Sequence, residues 1–504
     1  MSNRRYRAGQ SRQEPPPFSQ SLDDYISAVN AVRSIDAFVE SLDLADLGFR
    51  YTGEGGRPAN PPYPPGGMLK LYIYGYLNRV RSSRRLEQET HRNIEAIWLL
   101  HGLKPSYKTI AEFRKVHPEA LRRVNREFVL LCKELDLFGG KLAAIDGSFF
   151  RANASKASVQ LKGQVEKELE RIEKSIDRYL GELQRKDEED DAEGTPSLVE
   201  DPQLKEKLEA LKARQAERKA QLQQMEASGE GQLSHTDPDA RRLSKRGQSL
   251  TGYNVQQSVD DKHGLIVEHA VTNDGNDEQQ LEPMAMRTQE TLGVKELEVA
   301  VDAGYYNGEQ IKNCVDAGLT PYVPVPNYSR REEDKGRYPR EAFRFDAELN
   351  VCHCPGGAIL RPGHRALQIR GRSVFRYTSL SSTCTACPDK GRCLPDKTPL
   401  RTIHRWEHEA VLEEHQARME RDGKAMMRQR SALAEHPFGT MKRWLGWDHF
   451  LLRGFDKVRG EMALYVFGYN FRRVLTILGI EEARDYFVSR RSRPVGEGAE
   501  MAPA

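Results

Sequence analysis

No apolar run in this 504-residue sequence approaches the roughly 20 residues that a helix needs to cross a bilayer, and the opening MSNRRYRAGQSRQEPPP has no apolar signal region. A helical membrane protein is thereby excluded, and a cytoplasmic chain is expected. Cysteine is scarce, with seven residues, which excludes a disulfide scaffold. Five of the seven fall between 352 and 393, a clustering that favours a metal site, while Cys132 and Cys314 read as buried thiols. Excess charge is also missing: 77 Lys and Arg stand against 74 Asp and Glu, a net +3, so the chain as a whole is no polycation. Residues 421–473 nonetheless carry eleven Lys or Arg against five Asp or Glu, enough for a local basic face. What is present is a soluble composition, 38% hydrophobic and 30% charged, over a length that exceeds one ordinary core and predicts about two to four domains.

Residues 1–60 open with a Pro-rich polar stretch and close on GEGGRPANPPYPPGG, which predicts a flexible arm. Over 61–138 the apolar period is helical, through MLKLYIYGYLNRV and RRLEQETHRNIEAIWLLHG, with Thr109 and Glu112 spaced as a capping box. This all-α N-terminal domain carries Arg79, Arg81, Arg84, Arg85, Arg92, Arg114 and Lys115. A helix-turn-helix that binds DNA and a merely solvated charged face are both open. The pattern changes at KLAAIDGSFFRANASK, a short apolar run that delivers Asp146 at the end of a buried strand. GYNVQQSVD and GLIVEHAVTN, separated by DKHG, read as an antiparallel hairpin. A helix over 277–291, a strand in ELEVAVDAGYYN with Asp302, a helix over 307–317 and the strand TPYVPV follow. Residues 139–157, 240–326 and 403–480 are assigned to this α/β core, a mixed sheet.

Two inserts interrupt it. In 158–239, Val165, Leu169, Ile172, Ile176 and Leu183 fall at coiled-coil spacing, and Leu204, Leu208 and Leu211 repeat it after an acidic linker. Gln215 and Arg218 break the second seam before Leu222 and Met225 resume it, so a short helical hairpin is expected, either a protein–protein arm or a solvated spacer. In 327–402, CHCPGG, CTAC and KGRC make a small Cys-rich insert, from which Cys354, Cys384, Cys387 and Cys393 are chosen as the four thiolates of a structural Zn²⁺, with His353 a bystander. Residues 481–504 are expected to be a disordered tail.

A charged helical stretch over 410–444 holds Glu435 among Arg430, Lys442 and Arg443. Alone, Glu435 reads as a surface acid in a salt-bridged helix. Its position adds more: an acid on the first strand, one at the end of the fourth and one on the helix after the fifth converge at one end of the sheet in an RNase H-like core. Three such carboxylates repel one another unless cations neutralise them, and hard oxygen donors select Mg²⁺ or Mn²⁺. Two ions can activate a water or a 3′-hydroxyl and stabilise the leaving oxygen of a phosphodiester, while basic residues hold the backbone. Asp277 reads as a helix cap or a supporting acid, and His436 as structural. Trp444 and Trp447 read as core residues or as a stacking surface for an extruded base.

The segments AIDGSFFRANASK, GYNVQQSVDDKHGLIVEHAVTND, VAVDAGYYN and EHPFGTMKRWLG resemble the DDE transposases of bacterial insertion sequences, of the branch with an RNase H-like core and a Cys-rich insert. The likeness runs over about 62–478. It implies that Asp146, Asp302 and Glu435 are catalytic and hold two Mg²⁺ or Mn²⁺ ions, and that Arg430, Lys442 and Arg443 bind DNA. It further implies double-stranded DNA, element ends and target, as the partner of a homodimer or larger assembly. One departure is that related proteins often carry a Tyr about two residues before the Arg of this helix, where Met426, Met427 and Arg428 stand here. The expected function is metal-dependent cleavage and strand transfer in DNA transposition. A transposase-derived DNA-binding protein without catalysis and a metal-dependent DNA nuclease are the alternatives.

Overall fold

The computed structural model describes residues 21–49, 63–192, 202–245, 247–326, 334–369, 371–395 and 397–491. Two compact units divide the chain: Met1–Cys132, Phe150–Tyr253 and Gly439–Ala504 make the first, Lys133–Phe149 and Asn254–Phe438 the second. No helix among the described residues is long and apolar enough to cross a membrane.

The strands follow in the order β1 (Leu142–Arg151), β2 (Val159–Leu161), β3 (Gln232–Ser234), β4 (Arg241–Lys245), β5 (Gln248–Asp260), β6 (Ile266–Thr272), β7 (Leu297–Ala300) and β8 (Leu319–Tyr322). Six of them form a mixed sheet in the order β4-β5-β1-β7-β8, with β6 also on β5. The pairs β1–β7 and β7–β8 are parallel, and β4–β5 and β5–β6 antiparallel. The run Leu142–Ala143–Ala144–Ile145 is fully buried, as small and apolar side chains permit in a central strand. The helices Leu281–Leu292 and Gly308–Asp316 connect β6 to β7 and β7 to β8. The first begins four residues past Asp277, at cap Gln280, so Asp277 does not cap it. Asp146 lies in mid-strand rather than at a strand's end, because β1 runs on to Arg151.

In the second unit the long helix Glu409–Gly439 lays Met419, Met426, Met427 and Leu433 against Leu142, Ala300 and Tyr322. The two methionines at the place of the family's Tyr are therefore packing residues. The Cys-rich insert folds as a second sheet of β9 (Arg344–Asp346), β10 (Val351–His353), β11 (Ile359–Pro362), β12 (Leu367–Ile369), β13 (Arg372–Thr378) and β14 (Thr402–Trp406), around Phe343, Cys352, Leu360, Tyr377 and Ile403.

In the first unit, six helices occupy the N-terminal part: Ala31–Glu40, Pro65–Leu77, Ser83–Arg92, Ile94–Leu99, Tyr107–Val116 and Pro118–Glu134. Ser106, not Thr109, caps the fifth, its hydroxyl accepting from the Thr109 N–H at 3.3 Å. Phe38 and Phe128 pack with Phe467, Phe471 and Phe487 of the helices Phe455–Leu478 and Ile480–Arg491. Residues 455–478 fall in the first unit, where Phe455 packs on Tyr253 of β5 and Tyr465 against Phe150 of β1. Two expectations are corrected here. Residues 31–40 of the expected arm are helical, because Val32, Ile35, Phe38 and Val39 share a buried face. Residues 480–491 of the expected tail are helical too, anchored by buried Ala483 and Phe487. Of the expected arm and tail, residues 1–20, 50–60 and 492–504 lie outside the described residues.

The hairpin Lys162–Ala192 and Pro202–Ser228 closes around Ile172, Ile176 and Leu208, with β2 and β3 paired at its base. Where the apolar seam breaks, Gln215 donates to Glu173 and Arg218 to Glu168, each at 3.0 Å. Polar cross-links thus replace the missing apolar contacts. Leu183 and Leu204 lie outside the described side chains.

Candidate active site

Parallel register sets the geometry. Ala144 of β1 pairs with Ala300 of β7. The two-residue period of extended chain therefore turns Asp146 and Asp302, each two positions on, toward the same face. Asp302 keeps extended backbone, φ −84° and ψ 173°, and its Oδ1 accepts from the Gly304 N–H at 2.8 Å. Asp146 Oδ1 accepts from the Gly147 N–H at 2.9 Å. Both carboxylates lean on one cation, for Arg430 Nη2 stands 2.6 Å from Asp146 Oδ1 and 4.0 Å from Asp302 Oδ2. The pair is sheltered, with 12% of the Arg430 side chain and 16% of that of Asp146 exposed. Arg430 Nε is buried without a hydrogen-bond partner.

A third aspartate backs this pair. Asp277 is buried, and its Oδ1 accepts from Asn254 Nδ2 at 2.8 Å and Gln256 Nε2 at 2.7 Å. Glycine makes the close packing possible. A Cβ at Gly147 would stand 2.6 Å from Asp277 Oδ1, and one at Gly304 2.9 Å from Asp302 Oδ1 and 3.8 Å from Asp277 Oδ2. Tyr305, fully buried, donates its hydroxyl to Gln256 Oε1. Burial, and then the negative charges of Asp277, Asp146 and Asp302, hold that phenol protonated well above its usual range. Asn254, Gln256 and Tyr305 went unrecognised in the sequence. The available signal was two amides at i and i+2, on one face of a strand.

Helix geometry separates the two residues expected to act together. Arg430 is four residues from both Met426 and buried Ala434, so it shares the packed face. Glu435 lies about 140° round the helix from Arg430. It is exposed, and its Oε1 accepts from Ser431 Oγ at 2.9 Å. As the side chains stand, no three His, Cys, Asp or Glu among the described residues are set to hold a metal ion.

Lys442 and Arg443 belong to the first unit, in the π-helical turn Thr440–Trp444. Lys442 Nζ sits 4.3 Å from the Phe150 ring centre, Arg443 is exposed, and Trp447 is fully buried whereas Trp444 is 48% exposed. In the Cys-rich insert, Cys354, Cys384, Cys387 and Cys393 line one cavity of about 110 Å³, with Tyr338, Leu360 and Arg401. Burial and the proximity of the other three thiols push the Cys393 thiol up, while Arg401 opposes them. His353 is turned instead toward Asp346, 3.6 Å away.

Against known families, residues 20–116 match the Transposase domain (DUF772) and residues 353–475 the Transposase DDE domain. The second match takes in Arg430, Glu435, Lys442, Arg443 and the four cysteines, but not Asp146 or Asp302. No curated protein matches. Among solved structures, the chain is similar to the piggyBac transposase in a synaptic complex with hairpin DNA, at 9% identity and a TM-score of 0.30, over 92% of this chain and 80% of that one. With a transposase domain toward one end and a transposase DDE domain toward the other, the chain is a DDE transposase.

Proposed function

We propose that the protein binds the ends of a mobile DNA element and catalyses metal-dependent cleavage and strand transfer from an RNase H-like core. The observation that carries this reading is the pairing of Asp146 and Asp302, distant in sequence, on one Arg430 guanidinium, Asp146 from within β1 and Asp302 from just past the end of the adjoining parallel strand β7. The strand order supports the core assignment, with β1 central, the hairpin β5–β6 on one side and β7–β8 on the other.

The donor set suits hard cations, since it consists of carboxylate oxygens whose mutual repulsion Arg430 relieves for now. Asp146 and Asp302 would hold Mg²⁺ or Mn²⁺, with Glu435 as the third carboxylate that the family resemblance nominates. Bound there, two ions supply an activated water or 3′-hydroxyl and a stabilised leaving oxygen. The chain's own residues do the rest. Arg430 neutralises the aspartates and is free to take a phosphate when it leaves them. Asn254 and Gln256 hold Asp277 behind Gly147. Tyr305, kept protonated, turns the Gln256 amide so that its NH₂ faces Asp277. Lys442 and Arg443 contact the DNA backbone, and a homodimer or larger assembly holds two ends together with the target duplex. The four thiols suit Zn²⁺, and Cys354, Cys384, Cys387 and Cys393 would hold it as a structural ion.

Purified protein incubated with labelled DNA from the flanks of the reading frame and Mg²⁺ should give nicked and joined products. Asp146→Asn should bind the same DNA and give neither. One observation favours a second reading, DNA binding without catalysis: Glu435 faces Ser431 and not the aspartates. That reading predicts a wild-type complex that never nicks its DNA.

A further inference from the structure

Helix Pro65–Leu77 ends in a way its sequence makes expensive. Asn78 is the C-cap, and Val80 N–H reaches back to the Gly75 carbonyl at 2.6 Å, closing a Schellman turn. The residue between them must be left-handed, a place glycine normally takes. Here it is Arg79, at φ 60°. A side chain with a Cβ kept in that conformation costs free energy that the turn itself does not need, so the side chain is the feature to explain.

Arg79 lies flat on an exposed indole. Its guanidinium carbon is 3.8 Å from the Trp444 ring centre, and that of Arg472 is 4.7 Å from the same ring. The three residues come from three separate elements of the first unit: the helix end, the π-helical turn Thr440–Trp444 and the helix Phe455–Leu478. π-Helical turns in long helices recur at functional sites. Arg472 also donates to the Leu77 carbonyl, which fixes its plane beside the turn that carries Arg79. Burial and then the charge of Arg79 weaken the Arg472 proton's hold, so the two cations feel one another. Among the described residues neither arginine has a carboxylate within ion-pair reach. Two like charges gathered on one exposed indole, without an acid to neutralise them, repel unless an anion completes the group. A guanidinium stacked on an indole presents its N–H edge rather than its face, the geometry in which arginine takes a phosphate, and Arg472 spends one of its N–H groups on the Leu77 carbonyl.

We infer that Arg79 and Arg472, seated on Trp444, form a phosphate clamp that grips one phosphodiester of the DNA backbone. This inference rests on the transposase reading for the identity of the anion. Arg79 falls within the match to the transposase domain, and Trp444 and Arg472 within the match to the DDE domain. A single clamp would thus draw on both matched regions.

The test uses the full chain and a short fluorescein-labelled DNA duplex, with binding followed by anisotropy across a series of salt concentrations. Arg79→Gly removes the cation while supplying the residue that the turn prefers, so its melting temperature should equal or exceed that of the wild type. Its affinity should fall several-fold, and the slope of log K against log salt should flatten by about 0.9, one phosphate contact. Trp444→Ala should weaken binding likewise, and Trp444→Phe should restore most of it by keeping an aromatic face. Wild-type affinity and slope in Arg79→Gly would overturn the clamp, as would a lower melting temperature with unchanged binding, which would make the stack merely structural. A wild type that fails to bind duplex DNA would count instead against the transposase reading.

Discussion

Replacing Arg430 with Ala tests whether the paired aspartates are a cation site that the protein fills with its own guanidinium. Arg430 Nη2 lies 2.6 Å from Asp146 and 4.0 Å from Asp302, so the two carboxylate oxygens are no more than about 6.6 Å apart, the sum of those distances. At that separation and an effective dielectric constant of about 20, two negative charges repel by roughly 2.5 kcal/mol. Loss of one partner costs about 3–5 kcal/mol for fully buried ion pairs and under about 1 kcal/mol for exposed ones. With 12% and 16% of the side chains exposed, Arg430→Ala should fall between these limits. About 2 kcal/mol of destabilisation in EDTA is expected, read as a lower urea midpoint. Millimolar Mg²⁺ should recover most of that loss in the variant and stabilise the wild type less, because in the wild type the ion must first displace the arginine. Arg430→Ala with Asp146→Asn removes the repulsion and should regain stability in EDTA while losing the Mg²⁺ response. An Arg430→Ala protein as stable as wild type in EDTA, or equally indifferent to Mg²⁺, would refute the reasoning.

Four other outcomes follow from particular side chains. Glu435→Gln should abolish nicking and joining while leaving affinity for end DNA within about twofold, since docking rests on phosphate contacts; wild-type nicking would return Glu435 to an ordinary helix-surface acid. Asp277→Asn keeps an oxygen for Asn254 and Gln256, so folding should survive, but cleavage should drop on the order of tenfold through loosened support for Asp146; full activity would show the buried acid to be inert. His415 is fully buried, its Nε2 accepting from the Val323 N–H at 3.2 Å, and burial, then Arg418, lower its pKa to about 4. Because the folded value lies below the unfolded value of about 6.5, its contribution is complete above pH 6.5 and is lost as pH falls toward 4. The loss is about 3 kcal/mol, which should steepen acid unfolding in the wild type relative to His415→Gln. Elemental analysis of protein purified under reducing conditions should find about one zinc per chain, lost in Cys387→Ser.

How much of this was legible depends on whether local pattern or long-range packing decides. Strands β1, β6, β7 and β8 were legible from short apolar runs, and β5 from the DKHG turn that joins it to β6. The hairpin seam was legible from its apolar spacing, down to the break at Gln215 and Arg218. The helices at 31–40 and 480–491 were not, because each is short and owes its order to an aromatic cluster assembled from distant segments. Asp146 and Asp302 stood out in sequence as acids ending apolar runs, and Asp277 as a helix cap or a supporting acid; it lies in a loop four residues short of the helix and accepts from Asn254 and Gln256. Those two amides did not stand out, because the strand was read from its length and its turn and not from its polar residues. The separation of Arg430 and Glu435 was legible, because five residues on a helix turn side chains to different faces, but which of the two meets the aspartates was not. In the structure Arg430 takes the aspartates and Glu435 takes Ser431.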